Sequence, residues 1–185
     1  MSKSGGVRFS RAWAMPSGDT CSIGPVATLL DRVLAGCAVV VDPFARNATR
    51  GTITNDLNPD TAAQFHMDAL AFVEMLRDQG TQADAVLFDP PYSPRQVSEL
   101  YQRIGLTVTQ QDTQTGRLYR RVKAGLRAIL RPGGVAVCFG WNSTGLGPHY
   151  ALEEVLLVAH GAAHNDTIIT VERKQQGSLY DSSAA

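Results

Sequence analysis

Between residues 22 and 36 apolar side chains recur at helical spacing, as Val26, Leu29, Leu30, Val33 and Leu34, with Ser22, Gly24 and Pro25 ahead of them and Gly36 behind. Proline at a first helical position and glycine just past the last are start and stop signals, so this stretch predicts a helix of about three turns. The period then vanishes. CAVVVDPF is a continuous apolar run ending in Asp-Pro, which predicts a strand buried on both faces and opening into a loop. TITND repeats the pattern more weakly and ends at Asp56. A second helix follows, with Leu70, Phe72, Val73 and Leu76 on its apolar face, Asp68 as its cap and Gly80 as its stop. ADAVLFDPPY is a third buried strand with another Asp-Pro end. From about Arg117 to Leu130, Leu118, Val122, Leu126, Ile129 and Leu130 line one helical face, the arginines fall mostly opposite, and Pro132-Gly133-Gly134 stops the helix. VAVCFGW reads as the fourth strand, and EVLLVAH and DTIITVER read as a closing antiparallel pair around GAAHN.

Strands that alternate with helices through short loops imply an α/β fold: an open, mainly parallel sheet with an antiparallel closing hairpin and helices on both faces. Ligands of such sheets bind outside the carboxyl ends of the strands, where Asp42, Asp56 and Asp89 stand. The 185 residues suffice for one domain, expected over residues 7–174, with residues 1–6 and 175–185 read as flexible ends. A content of 44% hydrophobic and 18% charged residues excludes an intrinsically disordered chain. No apolar run is long enough to span a membrane and the first residues lack a secretory pattern, so a cytoplasmic protein without a membrane partner is expected. Cys21, Cys37 and Cys138 are scattered and form no CxxC pair, which argues against a disulfide framework or structural zinc and for small buried apolar roles.

Net charge is zero, yet its distribution is uneven. Seven acids lie between Thr54 and Asp89 against Arg77 alone, whereas Thr113 to Leu152 holds no acid and carries Arg117, Arg120, Arg121, Lys123, Arg127 and Arg131. A polyanionic partner would therefore be held by one patch and not by the whole molecule. His160 and His164 bracket GAAH without a third ligand at matching spacing, so no metal is expected and a hairpin accounts for them better. Trp141 reads as core sooner than as a stacking surface.

The sharpest chemical feature is Asp89-Pro90-Pro91-Tyr92. The two prolines stiffen the backbone and remove two amide donors, which leaves carbonyl oxygens, a carboxylate and an aromatic face aimed at one point. Such a site suits an exocyclic amine on a flat ring. The motif resembles the DPPY motif of S-adenosylmethionine-dependent amino-methyltransferases. Asp42-Pro43-Phe44 resembles the opening of the same family's cofactor motif, where the acid meets the methionine ammonium. The family's glycines are replaced here by Ala45-Arg46-Asn47-Ala48, with none until Gly51, so a wider loop is expected in which Asn47 takes the left-handed conformation of one glycine.

The resemblance runs from about Phe9 to Arg173 and is closest to the small DNA adenine-N6 methyltransferases of phages and mobile elements. It implies a Rossmann-like methyltransferase fold, S-adenosylmethionine as cofactor with S-adenosylhomocysteine as product, and a flipped or single-stranded base as target. It implies catalytic roles for Asp89, Pro90, Pro91 and Tyr92. It implies cofactor contacts from Asp56 to the ribose hydroxyls, from Asp68 and Ala69 to the adenine, and from Thr20, Ser22, Ile23 and Pro25 beside the methionine carboxylate. The space between Tyr92 and Pro132 leaves no room for a separate target-recognition domain. Contacts to DNA are therefore expected from Arg95, Gln110, Gln111, Gln114, Arg117, Arg120 and Arg121, with a recognition sequence of only a few base pairs unless a homodimer doubles the footprint. Two alternatives stay open. One is a ribosomal-RNA guanine-N2 methyltransferase, with RNA as partner; the other is a non-catalytic nucleic-acid-binding relative that has lost the cofactor.

Overall fold

A computed structural model of the chain describes residues 6–91, 115–161 and 164–176. The elements in order are β1 (Arg8–Trp13), a 3-10 turn (Thr20–Ser22), α1 (Gly24–Val33), β2 (Val40–Asp42), β3 (Ile53–Thr54), α2 (Ala69–Asp78) and β4 (Ala83–Phe88). There follow α3 (Thr115–Ile129), β5 (Leu130–Gly140), β6 (Tyr150–Ala159) and β7 (Thr167–Lys174). The strands form one sheet in the order β1-β6-β7-β5-β4-β2-β3. β4 pairs in parallel with β2 and β5, β2 with β3, and β1 with β6, while β7 runs antiparallel to both β5 and β6. The runs forecast as doubly buried strands are so in part: every residue of β2 is buried, as are five of the six in β4, but β2 begins only at Val40, with Ala38 exposed and Cys37 and Val39 half-buried ahead of it.

Two cores flank the sheet. α1 packs Val26, Leu29 and Leu30 with Val40, Leu87, Val137, Leu156 and Ile169 on one face. α2 and α3 pack Phe72, Val73, Leu76, Val122, Leu126 and Ile129 with Val86, Phe88, Ala136 and Cys138 on the other. The two helices approach closely because Gly125 lacks a side chain, and a Cβ there would stand 2.6 Å from Val73 Cγ1.

Three local features depart from the expectations. β1 gave no apolar signal, since five of its six residues are exposed, yet it adds an edge strand beside β6. Pro132-Gly133-Gly134 does not terminate α3, which already ends at Ile129; these residues bulge out of β5 between the Ala83–Leu130 and Ala85–Val135 pairs. Gly133 turns there at φ 73°, the left-handed region that glycine enters without strain. Finally, β7 inserts between β5 and β6, so the closing hairpin also carries the sheet on toward β1.

Candidate functional site

The parallel strands β2, β3 and β4 bring Asp42, Asp56 and Asp89 to one edge of the sheet. Asp42 is 2% exposed and its Oδ1 accepts the Phe44 amide at 3.0 Å. Burial, reinforced by the neighbouring Asp89, Asp56 and Asp19 carboxylates, leaves its carboxyl pushed up to about 7. Asp56 is also buried; its Oδ2 accepts the Arg46 amide at 3.1 Å and its Oδ1 the Asn58 amide at 2.9 Å.

The loop after Asp42 turns without glycine. The Ala48 amide donates to the Ala45 carbonyl at 2.8 Å, and the left-handed residue is Arg46 at φ 51°, not Asn47 as expected. A non-glycine residue there costs roughly 1 kcal/mol or more, and two bonds oppose that cost. The Arg46 amide is held by Asp56, and its guanidinium donates to the Gly18 carbonyl across the cleft. Asn47 instead uses Oδ1 to accept the Ala62 amide at 2.9 Å.

Gly51 is the glycine the loop requires. A Cβ on it would meet Thr54 Cγ2 at 2.9 Å and Asp42 Cβ at 3.0 Å. Gly51→Ala is expected to lower stability by about 1 to 3 kcal/mol through overpacking against β2 and β3, to be read in urea unfolding. An unchanged midpoint would refute that packing constraint.

Asn55 is a strut that sequence reasoning missed. Fully buried, it donates through Nδ2 to the Pro43 carbonyl at 3.2 Å and the Met67 carbonyl at 3.0 Å, and accepts the Met67 amide at 3.1 Å. It thereby ties the Asp42 loop to the entry of α2. Asp68 caps that helix, its Oδ1 accepting the Leu70 and Ala71 amides at 2.9 and 3.1 Å, and Ala69 is buried behind it. Upstream, Gly18, Asp19, Thr20 and Cys21 face Asp42, Asp89 and the Phe44–Ala48 loop across a cleft of about 160 Å³. Ser22 turns its hydroxyl to Asp19 and Ser17, Ile23 lies in the core, and Pro25 stands in the first turn of α1.

A second, larger cavity of about 420 Å³ lies beyond the Asp-Pro-Pro turn. Asp89 lines the first cleft and Pro90 and Pro91 line the second, so the turn is the wall between them. Tyr119 of α3 donates its hydroxyl to the Pro91 carbonyl at 2.7 Å, which occupies that acceptor. The Tyr119 ring also meets Phe44 and Phe88 edge to face, with centroids 6.2 and 5.9 Å away. One aromatic trio thus joins the Asp42 loop, the end of β4 and the basic helix.

The opposite wall is the loop after β5. Trp141 is 45% exposed at the cavity, contrary to the expectation of a core residue, because β5 has ended and its ring stands beyond the sheet. This loop is tied down from beneath. The Leu146 amide donates to Glu172 Oε2 at 2.7 Å, Lys123 donates to the Gly145 carbonyl, and Lys123 Nζ lies 5.2 Å from the Phe88 ring centre. Burial raises the Glu172 carboxyl above its ordinary range. Arg117 and Arg120 are exposed, with Arg120 at the cavity, whereas Arg121 leans to Glu74 at 3.5 Å.

His160 is structural: its ring nitrogens meet the Ala14 carbonyl and the Thr167 hydroxyl, each at 2.8 Å, while His164 is exposed. Tyr92, Arg95, Gln110, Gln111 and Gln114 lie outside the described residues.

No family model and no curated protein matches the sequence. Solved structures do match the fold. TrmN from Thermus thermophilus superposes with a TM-score of 0.51 at 19% identity, over 82% of this chain and 49% of that one. NSun6 from Pyrococcus horikoshii, solved with SFG, gives 0.54 at 18% identity over 82% of this chain and 52% of its own. The N-methyltransferase NodS from Bradyrhizobium japonicum WM9, in complex with S-adenosyl-L-homocysteine, gives 0.52 at 12% identity over 81% and 85%. The chain spans about half the length of the first two. Its fold is the Rossmann-like methyltransferase fold, mainly parallel, with an antiparallel hairpin and helices on both faces. Among the described residues no helix is long and apolar enough to cross a membrane.

Proposed function

We propose that this chain transfers a methyl group from S-adenosylmethionine to the N6 amine of adenine in DNA, the base being flipped or single-stranded. The observation that carries this reading is the Asp89-Pro90-Pro91 wall, with an acid-lined cleft on one side and a basic, aromatic-rimmed cavity on the other.

The cleft fits the cofactor by the chemistry of its donors and acceptors. The Asp42 carboxyl is raised by burial first and by the neighbouring Asp89, Asp56 and Asp19 carboxylates second, and a cationic ligand beside it offsets both. Asp42 would take the methionine ammonium and Asp56 the ribose hydroxyls, while Asp68 and Ala69 sit at the adenine end and Thr20 at the carboxylate end. The volume of about 160 Å³ suits the amino-acid end, with the nucleoside outside it. Bound there, the cofactor would supply a sulfonium-activated methyl group.

The chain's own residues present the amine. Asp89 and the Pro90 carbonyl accept hydrogen bonds from its two N–H groups, which draws the nitrogen toward tetrahedral geometry and frees its lone pair; as the N–C bond forms and the methyl–sulfur bond breaks, the surplus proton leaves the nitrogen by way of Asp89. Tyr119 keeps the Pro91 carbonyl out of that competition. The resemblance to the DPPY motif assigns stacking on the base to Tyr92, and Arg117 and Arg120 would hold flanking phosphates. Positioning of this kind is the main catalytic contribution.

Incubation with plasmid DNA, total RNA and labelled cofactor, followed by mass spectrometry of the nucleosides, tests the reading. N6-methyladenine from DNA is expected. N2-methylguanine from RNA would replace it with the guanine reaction, and no calorimetric binding at millimolar cofactor would leave a binding module. Asp56→Ala is expected to weaken cofactor binding by about 1 to 3 kcal/mol, through the lost ribose bonds and the released Arg46 amide, with turnover partly recovered at saturating cofactor. Unchanged cofactor affinity in a titration would remove Asp56 from the site.

A further inference from the structure

β1 places Phe9, Arg11 and Trp13 together on one face of the sheet's edge. They stand in register with Val155, Leu157 and Ala159 of β6, while Ser10 and Ala12 stand beside Leu156 and Val158 on the face covered by α1. Phe9 is 73% and Trp13 66% exposed; Arg11 is exposed and has no ion pair among the described residues. An edge strand is ordinarily protected by charge, whereas here two large rings leave most of their apolar surface exposed.

The face lies on the same side of the sheet as the larger cavity. β1 points the same way as β5, because it is parallel to β6 and both β5 and β6 are antiparallel to β7. Trp13 therefore lies at the carboxyl edge, where Trp141 stands. The cross-sheet row Cys138, Thr170, Val155, Phe9 puts the rings on the cavity's side of the sheet, since Cys138 lines that cavity. Three strand spacings separate β1 from β5, roughly 14 Å.

We propose that the Phe9–Arg11–Trp13 face is a stacking platform for single-stranded nucleic acid, holding unpaired bases beside the target cavity. The two rings are roughly 13 Å apart along the strand, too far to share a base, so each takes its own. Arg11 between them meets the phosphate, and Arg117 and Arg120 continue the positive charge at the cavity. Any base offers a flat face, so the platform is indifferent to sequence. A duplex offers none along its length. This binding stands apart from methyl transfer, because it needs neither cofactor nor Asp89.

The test is fluorescence anisotropy of the full chain, without cofactor, against labelled single-stranded DNA, single-stranded RNA of the same sequence, and the DNA duplex. Single strands should bind more tightly than duplex, and the comparison of DNA with RNA assigns the sugar. Phe9→Ala and Trp13→Ala should each lower single-strand affinity roughly tenfold. Phe9→Tyr and Trp13→Phe should retain it within a few-fold, and thermal melting should not move, because both rings are exposed. Arg11→Ala should flatten the salt dependence of binding. Because binding is read without cofactor, it is scored whether or not methyl transfer is detected. The platform is refuted if the double alanine variant binds as the wild type does, or if duplex binds as tightly as single strand. A dimer seen by light scattering and dissolved by the double variant, with oligonucleotide affinity unchanged, would assign the face to a second copy instead.

Discussion

Asp89→Ala is expected to abolish the proposed methyl transfer and to leave cofactor affinity within a few-fold of the wild type. Asp89 follows β4 at the wall between the two cavities, and the task proposed for it is to accept a hydrogen bond from the target amine. An oriented acceptor of that kind is worth roughly 10² or more in turnover. Its carboxylate also lines the smaller cleft, the proposed cofactor site, where two small effects oppose each other. Removal takes one negative charge away from a cationic ligand, yet it relieves repulsion on Asp42, whose carboxyl Asp89 helps to raise. Pro90 and Pro91 keep the turn stiff in the variant, and Tyr119 still holds the Pro91 carbonyl, so the cavity keeps its shape. Single-turnover kinetics at saturating cofactor measure the effect directly. A variant that keeps more than about a tenth of wild-type turnover would remove Asp89 from the chemistry.

The core of this fold was legible because doubly buried strands read as unbroken apolar runs. CAVVVDPF and ADAVLFDPP announced β2 and β4 together with the acids at their ends. β1 was not legible for the opposite reason: an edge strand paired on one side, with exposed Phe9 and Trp13, buries too little to impose a pattern. The bulge at Pro132–Gly134 was read as a helix stop because proline and glycine mark both, and only pairing with β4 distinguishes them. Residue-type rules likewise favoured Asn47 for the left-handed position. The tertiary bonds of Arg46 to Asp56 and Gly18 decided otherwise. Tyr119, Lys123 and Glu172 shape the larger cavity from segments distant in sequence, and a residue that acts through a carbonyl or an amide leaves no motif. Asn55 had one weak signal, a polar side chain beside Asp56 at the end of a strand.

Asp42→Asn is expected to make the cofactor-free protein more stable and the cofactor complex weaker, and pH separates the two effects. In the folded chain burial leaves the Asp42 carboxyl pushed up to about 7, whereas unfolded it returns to its ordinary value of 3.8. Between those values the folded state holds the proton and the unfolded state does not. Stability from this group is therefore full below pH 4 and is lost as pH rises to about 7. The wild type should lose up to about 4 kcal/mol across that window, an upper bound that the asparagine variant escapes. Cofactor binding has the opposite slope. The methionine ammonium needs the carboxylate, so wild-type affinity should rise by up to about tenfold per pH unit as pH increases toward 7, then level off. A neutral amide cannot repeat that bond, and the asparagine variant should bind about 10- to 100-fold more weakly at pH 8, without the slope. Urea unfolding and calorimetry from pH 5 to pH 8.5 measure both quantities on the same two proteins. A flat wild-type binding profile together with undiminished affinity in the variant would place the ammonium elsewhere than on Asp42.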